Sequence, residues 1–230
     1  SLLTKQTDKI LFHIFDTSLK SQLEELLSLG KSAGADLVEI FLEKSDNISL
    51  LAEQDEISNV SPSFGIGAGI RVFLGTKDGF VSTNDLSHQG LLFALSQALG
   101  MLGLEIGNHN LKNFEGLNDL KNYGINKNLW LEEIPNLKES TIKLIDATQC
   151  LASKNNNLQV RRASYSRNWQ EVLVAATDGV FARDIRLHQT VGINVIAIKD
   201  INRSSSSRRY GSSGNPNDLR NWNIDKSANE

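Results

Sequence analysis

Apolar residues recur at every second position along much of this chain. Val38, Ile40 and Leu42 alternate with Glu39, Phe41 and Glu43, and Ile70, Val72 and Leu74 repeat the pattern. A period of two sends successive side chains to opposite faces, so these stretches predict strands with one buried face. Further strands are expected over Ile48–Ala52, Ile57–Phe64 and Phe80–Thr83, and then over Leu158–Arg167, Gln170–Thr177, Val180–Leu187 and Val191–Ile198. Asp46-Asn47, the loop Gly75–Gly79 and Asp178-Gly179 carry turn chemistry, and Pro62 marks a strand end or a sheet edge.

Three stretches switch to helical spacing. Ser21-Gln-Leu-Glu24 has the spacing of a capping box and predicts a helix start at Ser21, followed by Leu23, Leu26, Leu27 and Ala33, with Gly34 as the stop. Ser87 is placed to cap a second helix whose apolar face is Leu91, Leu92, Leu95, Ala98, Leu99 and Leu102. A third helix is expected from Leu137 to Lys154, carrying Ile142, Ile145, Ala147 and Leu151. Residues 103–136, rich in Gly and Asn, read as a long irregular connection anchored by Tyr123 and Trp130, and residues 202–214 as a flexible loop or weak strand.

Helices alternating with runs of short strands give an α+β class, with helices packed on curved, mainly antiparallel sheets. Residues 21–83 and 137–198 share one shape, that of a helix-plus-strands unit used twice, although no residue-by-residue identity supports a duplication. The domain reading is an arm over 1–20, a body over 21–214 with halves 21–103 and 137–214 joined by 104–136, and a tail over 215–230.

Composition excludes several function classes. The chain has 230 residues, 24 basic against 27 acidic, for a net charge of −3. A dedicated nucleic-acid binder shows a basic excess instead, so no direct nucleic-acid partner is expected. The single Cys150 rules out an intrachain disulfide and fits a reducing compartment. No apolar run approaches the ~20 residues of a membrane span.

The chemistry-bearing residues do not assemble into a catalytic set. Gly65-Ile-Gly67-Ala-Gly69 is followed by the strand-like Ile70–Leu74, so it lacks the helix N-terminus that a phosphate loop needs. It reads better as relief of crowding at a bend or close packing. His13, His88, His109 and His188 lack zinc-ligand spacing, and Cys150 reads as a small buried hydrophobe. Arg161, Arg162 and Arg167 lie near Tyr165 and Trp169, a mix that suits base stacking. Neighbouring strand residues point to opposite faces, however, which favours solvated strand surfaces.

Gly67-Ala-Gly-Ile-Arg-Val-Phe73 followed by Gly79-Phe-Val-Ser-Thr-Asn-Asp-Leu-Ser87, with Gly34-Ala-Asp-Leu-Val-Glu-Ile-Phe41 before them, resembles the N-terminal region of the TldD/PmbA family, the "modulator of DNA gyrase" proteins. Arg161-Arg-Ala-Ser-Tyr165 and Glu171-Val-Leu-Val-Ala-Ala-Thr-Asp-Gly179 extend the resemblance. Ser82-Thr-Asn-Asp85 and Asp178-Gly-Val-Phe-Ala-Arg-Asp184 are closer to the TldD branch than to TldE (PmbA).

The resemblance implies a zinc metallopeptidase subunit that degrades short or unfolded peptides with a TldE-type partner in the cytoplasm. Its zinc site is an HExxxH motif in a C-terminal domain, and this chain has no His-Glu pair. The resemblance therefore implies a non-catalytic N-terminal region with no cofactor of its own, shaping the substrate chamber and the subunit interface. The tail stops where the helix leading into the metal domain is expected, so the chain reads as a fragment or as the product of a truncated gene. Substrate- or partner-contact candidates are Arg71, Ser82, Thr83, Asn84, Asp85, Asp178 and Arg183. The alternative is a stand-alone interaction module without peptidase activity, serving a gyrase-related system.

Overall fold

The computed structural model describes residues 17–107, 114–124, 136–154, 157–213 and 218–229. In chain order the elements are α1 (Thr17–Ser32), β1 (Leu37–Glu53), β2 (Glu56–Leu74), β3 (Lys77–Thr83), α2 (His88–Gly100), β4 (Lys121–Gly124), α3 (Leu137–Lys154), β5 (Leu158–Ala176), β6 (Phe181–Lys199), β7 (Asn202–Ser213), α4 (Asp218–Asn221) and α5 (Ile224–Asn229). The strands form an open antiparallel sheet in the order β3-β2-β1-β5-β6-β4, with β7 also paired to β6. The class is α+β, as the alternation of periods implies. Among the described residues, no helix is long and apolar enough to cross a membrane.

Four strands are longer than the sequence pattern suggests. β1 runs unbroken through Asp46-Asn47, β2 through Pro62 and the three glycines, β5 through Arg167–Gln170, and β6 through His188–Thr190. The predicted breaks are therefore corrected to four long strands. Polar groups at the expected turn have partners on β5 instead: Arg167 pairs with Asp46 at 3.7 Å, and the Asn168 side chain donates to Asn47. The true β1–β2 turn is Gln54-Asp55, with φ of 53° and 71°; positive φ at both central residues matches strand twist in a two-residue hairpin. The β2–β3 loop is shorter than expected. Leu74 pairs with Lys77, leaving only Gly75 and Thr76 between the strands, and Gly75 takes φ 58°.

Pro62 lies beyond the Ala68–Leu74 stretch that pairs with β3, where its missing N–H interrupts no β2–β3 ladder. The glycine-rich stretch is likewise strand, as the crowding argument holds. A Cβ at Gly69 would stand 2.9 Å from the Phe80 ring that covers it.

Helix ends follow capping chemistry more closely. The Ser87 Oγ accepts from the Gly90 N–H at 3.1 Å, and the Asn136 Oδ1 accepts from the Glu139 N–H at 2.9 Å. Ser87→Ala removes the first of these caps and is expected to cost about 1 kcal/mol in chemical denaturation, with an unchanged slope. The Ser21 capping box is not formed, because α1 begins four residues earlier and Ser21 lies inside it. Glu24 instead accepts from the Leu117 N–H at 3.1 Å. In α3 the predicted stripe is rotated: Leu144, Ala147, Thr148 and Leu151 are buried, whereas Ile142 is exposed. Tyr123 is exposed on β4 rather than an anchor, and β4 itself is regular structure within the expected irregular connection. Trp130 lies outside the described residues, as does most of the expected N-terminal arm.

The chain divides into two compact units, each drawing on three segments: 1–44, 65–124 and 171–184 in the first, and 45–64, 125–170 and 185–230 in the second. The core of the first joins Leu23, Leu26 and Leu27 of α1 and Leu91, Leu95 and Leu99 of α2 to Val38, Ile40 and Leu42 of β1 and Ile70 and Val72 of β2. The core of the second joins Leu144, Ala147 and Leu151 of α3 to Leu50, Ala52, Ala163, Tyr165, Val191 and Ile193 of the strands, with Leu219 and Trp222. Each fully buried Leu, Ile or Val contributes roughly 1.5–3 kcal/mol. These two clusters hold the strands that carry the charged groups described next.

Candidate functional site

In the first unit, β1 and β5 hold a charged cluster at the edge of the core. The Thr177 N–H donates to the Val38 carbonyl at 3.0 Å and the Gln54 N–H to that of Arg161 at 3.1 Å. Equal numbers of residues separate these two bonds on each strand. That constant register sets Lys44 directly opposite Glu171 and Glu53 opposite Arg162. The Arg162–Glu53 pair confirms it, with both nitrogen–oxygen contacts at 3.0–3.2 Å.

Lys44 and Glu171 are almost completely buried, at 1% and 0% exposure. Arg183 of β6 contacts the Glu171 carboxylate through Nη2. Burial pushes the Glu171 carboxyl up to about 7, against the opposing pull of the Lys44 ammonium. Burial also lowers the Arg183 guanidinium to about 10. Two cations and one carboxylate thus share a largely desolvated space, where breaking any contact is costly.

Lys44 and Glu171 were absent from the sequence candidates, though the signal was there. Lys44 continues the buried series Val38, Ile40, Leu42, and Glu171 occupies the same face of β5 as Leu173 and Ala175. A charged residue in phase with an apolar strand face is a buried charge that needs partners.

The sequence candidates fall at four separate places in the first unit. Arg71 lies on β2, bonded through Nε to Asp78 at 2.8 Å and stacked 5.2 Å from the Phe73 ring. Ser82, Thr83, Asn84 and Asp85 form the β3–α2 junction. There the Thr83 Oγ1 accepts from the Asp85 N–H and the Asp85 Oδ1 accepts from the Ser87 N–H. The Ser87 bonds hold the Asp85 carboxyl below its ordinary value. Asp178 sits in the β5–β6 turn, with Oδ1 accepting from the Val180 N–H at 3.2 Å and Gly179 at φ 91°. Arg183 alone joins the buried cluster. The candidates at the junction come together; Arg71, Asp178 and Arg183 stand apart from them.

The arginine–aromatic mix does not form a stacking platform. Tyr165 and Trp169 are buried, and the Tyr165 hydroxyl is bonded to the Gln189 Oε1 at 2.7 Å. Arg161 pairs with Asp55 at 3.4 Å. Cys150 is half-buried rather than fully buried, and burial and its bond to Asp225 raise its thiol above the usual range. Its thiolate is therefore disfavoured.

Among the described residues, no three His, Cys, Asp or Glu side chains stand together as a metal site requires. His13 and His109 lie outside those residues. Among the described residues the donor set does not fit a resident zinc ion.

Concave surfaces of the second unit include two lined by described residues. One, of about 250 Å³, is walled by Gln189, Val191, Tyr210, Trp222 and Lys226; the other, of about 280 Å³, by Lys138, Glu139, Ile142, Leu219 and Arg220. Across the second, Arg220 clamps Glu139 with two nitrogens and holds its carboxyl below the usual range.

The comparisons with known proteins agree on one family. Residues 38–102 match the model of PmbA/TldA metallopeptidase domain 1, and residues 131–230 match that of the PmbA/TldA metallopeptidase central domain. The chain is 27% identical over 175 residues to a metalloprotease TldD homolog of Haemophilus influenzae, covering 75% of this chain and 35% of that protein. Its fold is shared with a Thermotoga maritima protein described as a candidate modulator of a DNA gyrase, at TM-score 0.69 and 17% identity, over 91% of this chain and 46% of that one. It is shared too with TldE from Thermococcus kodakarensis, at TM-score 0.65 and 18% identity, over 90% and 46% respectively. The chain thus spans about a third of its curated relative and just under half of the solved structures. With the two domain models together covering most of its length in order, the chain belongs to the PmbA/TldD metallopeptidase family.

Proposed function

We propose that this chain is the non-catalytic N-terminal region of a TldD-type metallopeptidase subunit that degrades short or unfolded peptides. In this reading it walls the substrate chamber and docks on a TldE-type partner in the cytoplasm. The observation that carries it is the pair of family matches. They assign the chain's two matched segments to a first and a central domain of a metallopeptidase. Zinc then belongs to the full protein and is bound by residues outside this chain. The expected division into a body over 21–214 and a tail over 215–230 leading to a metallopeptidase domain is part of the same proposal.

Exposed members of the candidate set, Arg71, Ser82, Asn84, Asp85 and Asp178, are proposed contacts to substrate or partner. Thr83 and Arg183 are half-buried and already engaged within the fold. The test is reconstitution. The 230-residue chain is expected to release no fragments from an unfolded peptide, alone or with a TldE-type subunit. The longer protein with that subunit is expected to do so in a chelator-sensitive way. Chelator-sensitive hydrolysis by the short chain alone would refute the reading.

A further inference from the structure

β7 is an unusual sheet edge. It pairs with β6 over twelve consecutive positions, from His188↔Ser213 to Lys199↔Asn202, with no bulge to break the register. Its other side has no strand neighbour among the described residues, and residues 202–211 are all exposed. Edge strands usually carry a proline, a bulge or a short length that blocks further pairing. β7 has none of these, and Ser204–Ser207 leave the edge open to a close approach.

Charge on this hairpin runs against the rest of the chain. Between Ile185 and Ser213 lie Arg186, Lys199, Arg203, Arg208 and Arg209 against Asp200 alone, in a protein whose net charge is −3. No ion pair engages Arg203 or Arg209 among the described residues. The pairing register puts Arg203 and Arg209 on one face of the ribbon, opposite Ile198 and Gly192, and Arg208 on the other face, opposite Ile193. A phosphate backbone tracking across a sheet would meet cations on one face. A strand added in the plane of the sheet meets cations on both faces.

We propose that the free edge of β7 binds an extended, acidic segment of a partner protein by strand addition. Main-chain hydrogen bonds along β7 supply the pairing, and carboxylates of the added strand lie against Arg203, Arg208 and Arg209. The site is independent of any peptidase activity, so its test does not depend on the role proposed above.

The probe is a labelled peptide of about nine residues, long enough to span Arg203 to Arg209, in which adjacent Glu pairs separated by single Thr residues put carboxylates on both faces of the added strand. Three comparison peptides go with it: a Lys-for-Glu version, and two acidic versions N-methylated at one or the other set of alternate residues. Fluorescence anisotropy with the 230-residue chain is expected to show binding of the acidic peptide that weakens with salt. Binding should be at least about tenfold weaker for the Lys version, and lost for the one N-methylated set whose N–H groups face β7.

The triple variant R203E/R208E/R209E should lose the acidic peptide and gain the Lys version while keeping its far-ultraviolet circular dichroism. Amide exchange should slow along β7 when the acidic peptide is added. No binding of the acidic peptide, equal binding of both N-methylated forms, or displacement by an oligothymidylate that binds equally well would each overturn the proposal. The last result would instead make the surface a general polyanion site.

Discussion

Glu171→Ala is expected to destabilise the protein by about 2–5 kcal/mol at pH 5, where the folded protein holds the carboxyl protonated, because truncation leaves a buried cavity and strips a polar partner from the cations. Lys44, directly opposite, and Arg183, in contact, would both lose that neighbour in a space with almost no solvent access. A domain is stable by only about 5–15 kcal/mol, so this change alone removes a large part of the margin. Glu171→Gln keeps the shape and isolates the charge. The folded-state value of about 7 lies above the ordinary 4.5, so between these pH values the native state holds a proton that the unfolded chain has released. This contribution to stability is fully present below about 4.5 and is lost as pH rises through about 7, by about 3 kcal/mol at most. Urea midpoints measured across that range should slope downward less in Glu171→Gln than in the parent. Identical slopes would show that Glu171 does not titrate in this window.

Gly79→Val should cost about 3 kcal/mol or more, through backbone rather than side-chain displacement. A Cβ at Gly79 would lie 2.3 Å from the Ala98 carbonyl oxygen and 3.2 Å from the Met101 Cβ. β3 therefore packs against α2 so closely that only hydrogen fits between them. Unlike a crowded side chain, a helix carbonyl has no alternative rotamer, so α2 must shift away from the strand. Thermal unfolding is the measurement. A change in midpoint of less than a degree or two would mean that α2 rides further from β3 than described. Gly75, which has open space around it, is the contrast. There the expected penalty comes from its φ of 58° alone and is smaller.

Local chemistry was legible where it needs only nearby residues. The Ser87 cap, the Asp178-Gly179 turn and the bounds of α3 follow from groups within four positions of one another. Strand length was not legible, because the partners that straighten Asp46-Asn47 are Arg167 and Asn168, some 120 positions away. The real β1–β2 turn hides in Gln54-Asp55, which lacks the glycine that ordinarily marks positive φ. β7 has no apolar alternation because nearly all of it is exposed, and its regularity comes from the ladder with β6. The crowding reading of Gly65–Gly69 holds at Gly69, where the missing Cβ makes room for the Phe80 ring of β3, eleven positions on. Among the candidate residues, Arg183 was found through the family resemblance and Lys44 and Glu171 were not, although the period of two already placed both on the core face.

The most direct test of the division of labour concerns metal content. After equilibrium dialysis against zinc and removal of the loosely bound ion, the 230-residue chain is expected to retain substantially less than one zinc per molecule. The longer TldD-type protein, treated identically, should retain one. One tightly held zinc in the short chain, lost when His88 and His188 are replaced, would contradict the assignment of catalysis to residues outside it.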